Sequence, residues 1–182
     1  MSEVNIRMDR PHLEALPTVR LPEGHRLETA SEGFEPTWAR IINAAFLNDG
    51  WTAEKCREQF SSQARFDPEG MFFVVSPEGE AVATAFAWRD TPEERECGRV
   101  HWVATLPEQQ GKGLGRVVTV AVLHYMKKHG LSRAFLETHP YRLPAIRLYL
   151  SLGFHPTPKG AEHEGLWDEA LAKIREYEAG KK

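Results

Sequence analysis

The glycine-rich segment ATLPEQQGKGLGR, residues 104–116, has the composition of an anion-binding turn. An apolar segment precedes it, and a long apolar, helix-like segment follows it. The first turn of a helix carries N–H groups without partners inside the helix and the positive end of the helix dipole, so it attracts anions. Glycines remove side chains that would hold an anion away from the backbone, and Lys112 and Arg116 add charge at the rim. The segment therefore predicts a phosphate site.

Three phosphate-loop patterns compete for this segment. A nucleoside-triphosphate loop needs Gly-Lys followed by Ser or Thr, whereas Lys112 is followed by Gly113. A dinucleotide fingerprint needs G-x-G-x-x-G, which the glycines at 111, 113 and 115 do not satisfy. The pattern Q-x-x-G-x-G is satisfied by Gln110, Gly113 and Gly115. On these six residues alone, a tight strand-to-helix turn that uses glycine only for its geometry stays open.

The elements that must position this loop follow from hydrophobic periodicity. The patterns predict a strand at 25–31, helices at 36–46 and 52–63, a hairpin at 70–90, a strand at 98–106, a helix at 115–129, a strand at 133–139, and helices at 144–153 and 167–179. Gly50 is expected to end the first helix. The order indicates a mixed α/β domain built on one open sheet. We interpret residues 1–25 as an N-terminal arm that wraps the domain, and residues 26–182 as that single domain.

Composition narrows the class of protein. The chain has 182 residues and a net charge of -3, without the basic stripe that nucleic-acid binding needs. Cys56 and Cys97 show neither metal-ligand spacing nor a disulfide framework, which favours reduced thiols. No apolar run approaches the roughly 20 residues that span a bilayer, and the charged N-terminus does not resemble a secretory signal. We expect a cytoplasmic protein that binds no metal, nucleic acid or membrane.

Two motifs resemble the GNAT superfamily of acyl-CoA-dependent N-acyltransferases. They are VATLPEQQGKGLGR, residues 103–116, and PAIRLYLSLGF, residues 144–154, which matches the family pattern A-I-x-L-Y-x-x-x-G-F. The resemblance covers residues 26–156 in element order and is strongest over 100–154. It implies an open, mostly antiparallel central sheet with a splayed strand pair and helices on both faces. It also implies acetyl-CoA as co-substrate.

The resemblance assigns the cofactor contacts to two short segments. Backbone amides of the loop would hold the pyrophosphate of coenzyme A: Gln110, Gly111, Lys112, Gly113, Leu114, Gly115 and Arg116. The last residues of the splayed strand, Val103, Ala104 and Thr105, would pair with the pantetheine arm as a neighbouring strand does. Backbone N–H groups there can also face the thioester carbonyl, where such donors lower a barrier by about 3 kcal/mol.

The resemblance also suggests catalytic groups. Tyr149 matches the tyrosine that donates a proton or hydrogen bond to the leaving thiolate, although by spacing alone it is a core-facing helix residue. Relatives place a glutamate or histidine base on the strand of residues 97–105. Alternation puts Cys97, Arg99, His101 and Val103 on one face of that strand, and His101 alone among them titrates near neutrality when unperturbed. Glu137, His139, water, and a purely structural His101 stay open.

Two further positions concern the substrates. The family often carries asparagine three residues before the AI pair, and this chain has Arg142 there. Arg142 then either contacts a phosphate or an acidic substrate, or faces water. The family's first two helices cover the acceptor amine, which here points to Asn48, Asp49 and Trp51. A helix-ending turn and a core tryptophan are the structural alternatives at these residues.

The function that these observations predict is transfer of an acetyl group from acetyl-CoA to a primary amine of a small molecule by direct attack. A non-catalytic acyl-CoA-binding module and an enzyme acting on a protein N-terminus or lysine are the alternatives. A homodimer is also expected, because the N-terminal arm and the tail helix offer exposed apolar residues.

Overall fold

A seven-stranded sheet forms the centre of the part of the chain that the computed structural model describes, residues 4–47, 49–91 and 95–180. Its strands are β1 Ile6–Arg10, β2 Arg26–Thr29, β3 Met71–Val75, β4 Ala81–Trp88, β5 Cys97–Thr105, β6 Arg133–Thr138 and β7 His155–Pro156. They lie in the order β2-β3-β4-β5-β6-β1-β7. Each neighbouring pair is antiparallel except β5 with β6, which is parallel. The predicted mixed α/β class with a mostly antiparallel open sheet is confirmed.

Helices cover both faces of this sheet. They are α1 Glu35–Phe46, α2 Ala53–Cys56, α3 Leu114–Lys128, α4 Leu143–Ser151 and α5 Ala161–Ala179, and α2 continues into a π-helical turn at Arg57–Ser61. Helix α1 packs on β4 and β5, whereas α3 packs on β3, β4 and β5 from the other side. Among the described residues, no helix combines the length and the apolar character that a membrane crossing requires.

Helix α1 forms where an apolar stripe meets a proline-initiated turn. Pro36 lies in the first turn, and Trp38, Ile41 and Ile42 are fully buried. The helix ends at Phe46, because Leu47 takes a left-handed conformation with φ 50° and its N–H bonds to the Asn43 carbonyl. The prediction that Gly50 ends this helix is therefore wrong. The terminator is a leucine, for which composition offers no signal.

The N-terminal segment contributes a strand that the sequence analysis did not predict. Strand β1 inserts between β6 and β7, so the start of the chain is part of the central sheet. The rest of this segment runs over the domain, and Leu13 is buried. Apolar residues of α5 are also buried within the chain, namely Trp167, Ala170 and Ile174. Leu21 of the N-terminal segment and Tyr177 of α5 stay exposed, and the homodimer stays a prediction.

The one parallel pair opens soon after it begins. Cys97–Arg99 of β5 pair with Arg133–Phe135 of β6, and beyond these residues the two strands diverge. The Arg99 guanidinium crosses the opening and bonds to the Glu137 carboxylate at 2.8 Å. The predicted splayed strand pair is therefore present, and it creates a gap in the middle of the sheet.

Close packing of α3 on β5 holds the closed end of this gap, and Gly98 permits it. A methyl group at Gly98 would lie 2.8 Å from the Met126 sulfur and 2.9 Å from a Leu131 methyl. We expect Gly98→Ala to lower the free energy of unfolding by about 1–3 kcal/mol, because buried neighbours must move. Urea denaturation measures this.

A matched glycine in α5 provides the control. A methyl group at Gly165 would meet nothing within 4 Å, and the residue lies inside a helix. Gly165→Ala should therefore raise the free energy of unfolding by about 0.5–1 kcal/mol. Equal effects of the two alanine variants would contradict the packing argument.

Candidate active site

The gap between β5 and β6 opens into two adjoining cavities. One has a volume of about 770 Å³ and runs along the end of β5 to the glycine loop and α4. The other, of about 360 Å³, lies between β5 and β6 on the side of His101 and Glu137. Five residues line both cavities and mark their junction, namely Phe46, Val103, Arg142, Ala145 and Tyr149. A molecule in the first cavity can therefore meet a molecule in the second at this junction.

The glycine loop lies at the far end of the larger cavity. Gly111 and Gly113 both have φ +81°, a conformation that glycine adopts without strain. Gly113 caps the N-terminus of α3, and within the described residues no acceptor bonds to the amide N–H groups of residues 111–115. Lys112 bonds to the Gln109 side chain at 2.7 Å, and Arg116 bonds to Ser151 at 3.1 Å. Five adjacent N–H groups at a helix N-terminus form a cradle suited to a diphosphate.

The end of β5 exposes a backbone edge to the same cavity. Leu106 donates its N–H to the Val82 carbonyl of β4, at 2.9 Å. Since backbone groups alternate in direction along a strand, the N–H and C=O of Thr105 and Val103 face the gap. Because β6 pairs only as far as Phe135, no strand of the described residues covers this edge. An extended ligand can pair with it as a strand would.

A bulge in β5 overturns one part of the predicted alternation. His101 pairs with Phe86 and Ala104 pairs with Thr84, so two residues of β5 oppose Ala85 alone. Trp102 takes φ +49° in this bulge. Ala104, not Val103, then shares the face of His101, and the prediction that Val103 lies on that face is wrong. The bulge turns the Trp102 ring to the side of His101, with ring centroids 5.6 Å apart.

Tyr149 stands where the two cavities join. Helix α4 holds it, and its side chain is 6% exposed, with its ring against Phe154. Burial raises the pKa of the Tyr149 hydroxyl above its ordinary value, while the charge of Arg142 lowers it. Within the described residues, no side chain or backbone group bonds to this hydroxyl. The phenol therefore keeps its proton at neutral pH and can donate it to a ligand.

His101 lines the smaller cavity and is surrounded by aromatic side chains. Its ring lies 5.2 Å from Phe86 and 5.7 Å from Phe60, and the Trp88 ring is stacked beside it. Burial lowers the pKa of His101 well below the ordinary histidine value, and the charge of Arg99 lowers it further. The imidazole is therefore neutral at pH 7 and has a lone pair free for a proton.

The lowered pKa of His101 makes stability depend on pH. The unfolded chain binds a proton at this residue below about pH 6.5, whereas the folded chain resists it. Stability is therefore lost as pH falls from about 6.5 toward the folded pKa, with a slope of up to about 1.4 kcal/mol per pH unit. Urea denaturation across this window should show a steeper slope in the wild type than in His101→Gln, where His139, whose pKa is also lowered, still contributes. His12→Gln, at an exposed site, is the control, and parallel wild-type and His101→Gln curves would contradict the prediction.

The two rival bases also line the smaller cavity. Glu137 is held by Arg99 at 2.8 Å and by Lys159 at 3.9 Å, so its carboxylate is already paired. His139 stacks on Tyr141 with ring centroids 5.1 Å apart, and burial and the charge of Arg142 lower its pKa. Of the three candidate bases, His101 is the one that lies among aromatic side chains, and its imidazole faces the cavity.

The three residues expected to cover an acceptor lie in different surroundings. Asn48 lies outside the described residues, and Asp49 is exposed. Trp51 packs into the aromatic cluster at 5.0 Å from Trp38 and 5.0 Å from Trp102, as its structural alternative predicted.

The cavities are also lined by residues that the sequence analysis did not single out for the site, among them Phe46, Arg99 and Trp102. Phe46 ends the apolar stripe of α1, which is a detectable signal. The position of Trp102 depends on the bulge. Arg99 shares a strand face with His101, which is the signal that could have drawn attention to it. Among the described residues, no group of three or more His, Cys, Asp or Glu side chains is placed to hold a metal ion.

Comparison with known proteins gives matches over most of the chain. Residues 36–154 match the Acetyltransferase (GNAT) family. A mycothiol acetyltransferase of Thermobispora bispora is 35% identical over 158 residues, covering 81% of this chain and 52% of the relative. The mycothiol acetyltransferase of Thermomonospora curvata is 34% identical, covering 83% of this chain and 51% of the relative. The chain thus spans about half the length of these curated relatives.

Solved structures support the fold. A GCN5-related N-acetyltransferase from Sphaerobacter thermophilus superposes with a TM-score of 0.68 at 23% identity, over 84% of this chain and 48% of that one. At this identity the likeness is evidence for the fold alone.

Proposed function

The chain belongs to the GNAT acetyltransferase family, and on that premise we propose that it transfers an acetyl group from acetyl-CoA to an amine of a small molecule by direct attack. The observation that carries this proposal is the junction of two cavities at Tyr149, one of them ending at a cradle of free amide N–H groups. The larger cavity takes the cofactor and the smaller one takes the acceptor. The relatives named mycothiol acetyltransferase support a small-molecule acceptor.

The cofactor is bound mainly by backbone. The free amides of residues 111–115 hold the pyrophosphate, aided by the positive end of the α3 dipole. The predicted amides of Gln110 and Arg116 at the two ends of the loop already donate to Pro107 and Gly113. The pantetheine arm extends along Val103, Ala104 and Thr105, and its amides pair with the free edge of β5. This brings the thioester to the junction, where N–H groups of the same edge stabilise the oxyanion that forms on the carbonyl oxygen.

The reaction then follows from the groups at the junction. The amine nitrogen bonds to the thioester carbon, and the carbon–sulfur bond breaks with its electron pair passing to sulfur. Tyr149 gives its hydroxyl proton to the sulfur. His101 takes the proton that the amine loses, directly or through water, since its lowered pKa keeps the imidazole unprotonated before the step. Burial makes the imidazolium unfavourable, so this proton passes on to water.

The two cysteines support a direct route over a covalent acyl-enzyme. Burial and the charge of Glu35 raise the pKa of Cys56 to about 12, so its thiolate is scarce at neutral pH. Cys97 is buried as well, and neither cysteine lines the two cavities.

A thiol-release assay tests the proposed function. The purified protein is given acetyl-CoA with a panel of small amines, and separately with peptides that offer a free N-terminus or a lysine. We expect release of coenzyme A that depends on a small amine and yields its N-acetyl product in equal amount. Tight coenzyme A binding with no turnover on any amine would favour a sensing module, and turnover on peptides alone would assign a protein acceptor.

A further inference from the structure

Arg142 bridges the opening between the two cavities. It is the N-cap residue of α4, and its side chain makes no capping hydrogen bond. The guanidinium carbon lies 4.1 Å from the ring centroid of Phe46 on α1 and 5.9 Å from that of Tyr141. Stacking on these rings holds the cation across the junction instead of out in water. The sequence left two roles open for Arg142, contact with a ligand or a side chain facing water. This position favours contact with a ligand.

The charge of Arg142 is not neutralised by a carboxylate in the described part of the chain, where none of the ion pairs includes it. Arg99, the other arginine of the smaller cavity, is bound by Asp90 at 3.3 Å and by Glu137 at 2.8 Å. Arg142 therefore supplies the net positive charge at the junction. That charge reaches the neighbouring groups, since it lowers the pKa values of both Tyr149 and His139.

We propose that Arg142 stabilises the negative charge that develops on the coenzyme A sulfur as the thioester is cleaved, acting beside Tyr149. This inference rests on the proposed function and extends it. As the carbon–sulfur bond breaks, the electron pair moves to sulfur, and the proton that completes the thiol comes from the Tyr149 hydroxyl. Arg142 keeps its own proton throughout, because a guanidinium does not deprotonate in proteins. Solvent restores the tyrosine proton, and the amine proton leaves through the base.

The surroundings of Arg142 strengthen the effect of its charge on the coenzyme A sulfur. Tyr149 is buried and Phe46 covers one side of the partly buried Arg142 guanidinium, which reduces the water between the cation and the sulfur. A cation held in place before the reaction stabilises charge without reorganising. The other charged and titratable side chains facing the two cavities are Arg99, His101, Arg116, Glu137, His139 and Tyr141.

The test is a titration of the thiol of bound coenzyme A, followed by the ultraviolet absorbance of the thiolate. Calorimetry first establishes that each protein binds coenzyme A. The proteins compared are the wild type, Arg142→Lys, Arg142→Met and the control Arg147→Met, which removes an arginine that pairs with Glu178 on the outer side of α4. In Arg142→Met we expect the thiolate to form at a pH about one unit higher than in the wild type, and kcat to fall about tenfold with little change in the KM for acetyl-CoA. Arg142→Lys should lie between them, and Arg147→Met should match the wild type.

Two results would overturn the proposal. One is the same thiolate midpoint in the wild type and Arg142→Met. The other is equal loss of affinity for coenzyme A and desulfo-coenzyme A in both Arg142 variants, which would mean that Arg142 holds the body of the cofactor. A wild type that binds no coenzyme A would appear in the calorimetry before any titration. That outcome would overturn the proposed function itself, and the role of Arg142 with it.

Discussion

Replacing Gly113 by alanine is expected to lower the affinity for acetyl-CoA at least about tenfold while the protein stays folded. A methyl group at Gly113 would meet no protein atom within 4 Å, so the fold accommodates its volume. The same methyl group would project into the cradle formed by the free amides of residues 111–115. It would hold a diphosphate away from N–H groups that no protein acceptor satisfies. Calorimetric titration with acetyl-CoA measures the loss.

Backbone strain must be separated from the loss of the cradle. Gly113 has φ +81°, where alanine costs about 1–2 kcal/mol. Gly79, in the turn between β3 and β4, has φ +90° and also has no atom within 4 Å of a methyl group. Gly79→Ala should therefore cost similar stability and leave acetyl-CoA affinity unchanged. If Gly113→Ala bound acetyl-CoA as tightly as Gly79→Ala does, the loop would be a turn without a role in binding.

Tyr149→Phe is expected to lower kcat about 10²-fold, with little change in the KM for acetyl-CoA. The hydroxyl acts only when charge appears on sulfur, so its loss affects the transition state more than the bound substrate. Stability should hardly change, because no described protein group bonds to this hydroxyl and its removal leaves no partner unsatisfied. Steady-state thiol release and thermal unfolding measure the two quantities.

A tyrosine away from the cavities serves as the control for Tyr149. Tyr177 lies half exposed on α5, and Tyr177→Phe should leave kcat unchanged. Burial raises the pKa of Tyr149, so loss of its proton should produce no fall in activity near neutral pH. Unchanged turnover in Tyr149→Phe would remove this residue from the mechanism.

The parts of the fold that were predictable have strong local signals. Helix α3 and its glycine loop combine an apolar period with an abrupt change in backbone conformation. Strand β1 lacks such a signal, since Arg7 and Asp9 alternate with only two apolar residues, Ile6 and Met8. Its strand conformation depends on pairing with both β6 and β7, which come from the other end of the chain.

The site, like the fold, combines features that the sequence indicated with features that depend on the tertiary structure. The loop and Tyr149 lie within short motifs, so the sequence indicated them directly. The orientation of Val103 and Trp102 depends on a bulge opposite Ala85, and strict alternation cannot anticipate it. The stacking of Arg142 on Phe46 joins residues from α4 and α1, so only the tertiary structure displays the cation at the junction.

A crystal structure of the protein with acetyl-CoA tests the central claim most directly. We expect diphosphate oxygens within hydrogen-bond distance of the amides of residues 111–115, with the thioester sulfur beside Tyr149. Density for the cofactor elsewhere, such as the cavity lined by Arg65, Trp88 and Tyr125, would contradict it. A structure without bound cofactor, from crystals grown in excess acetyl-CoA, would also contradict it.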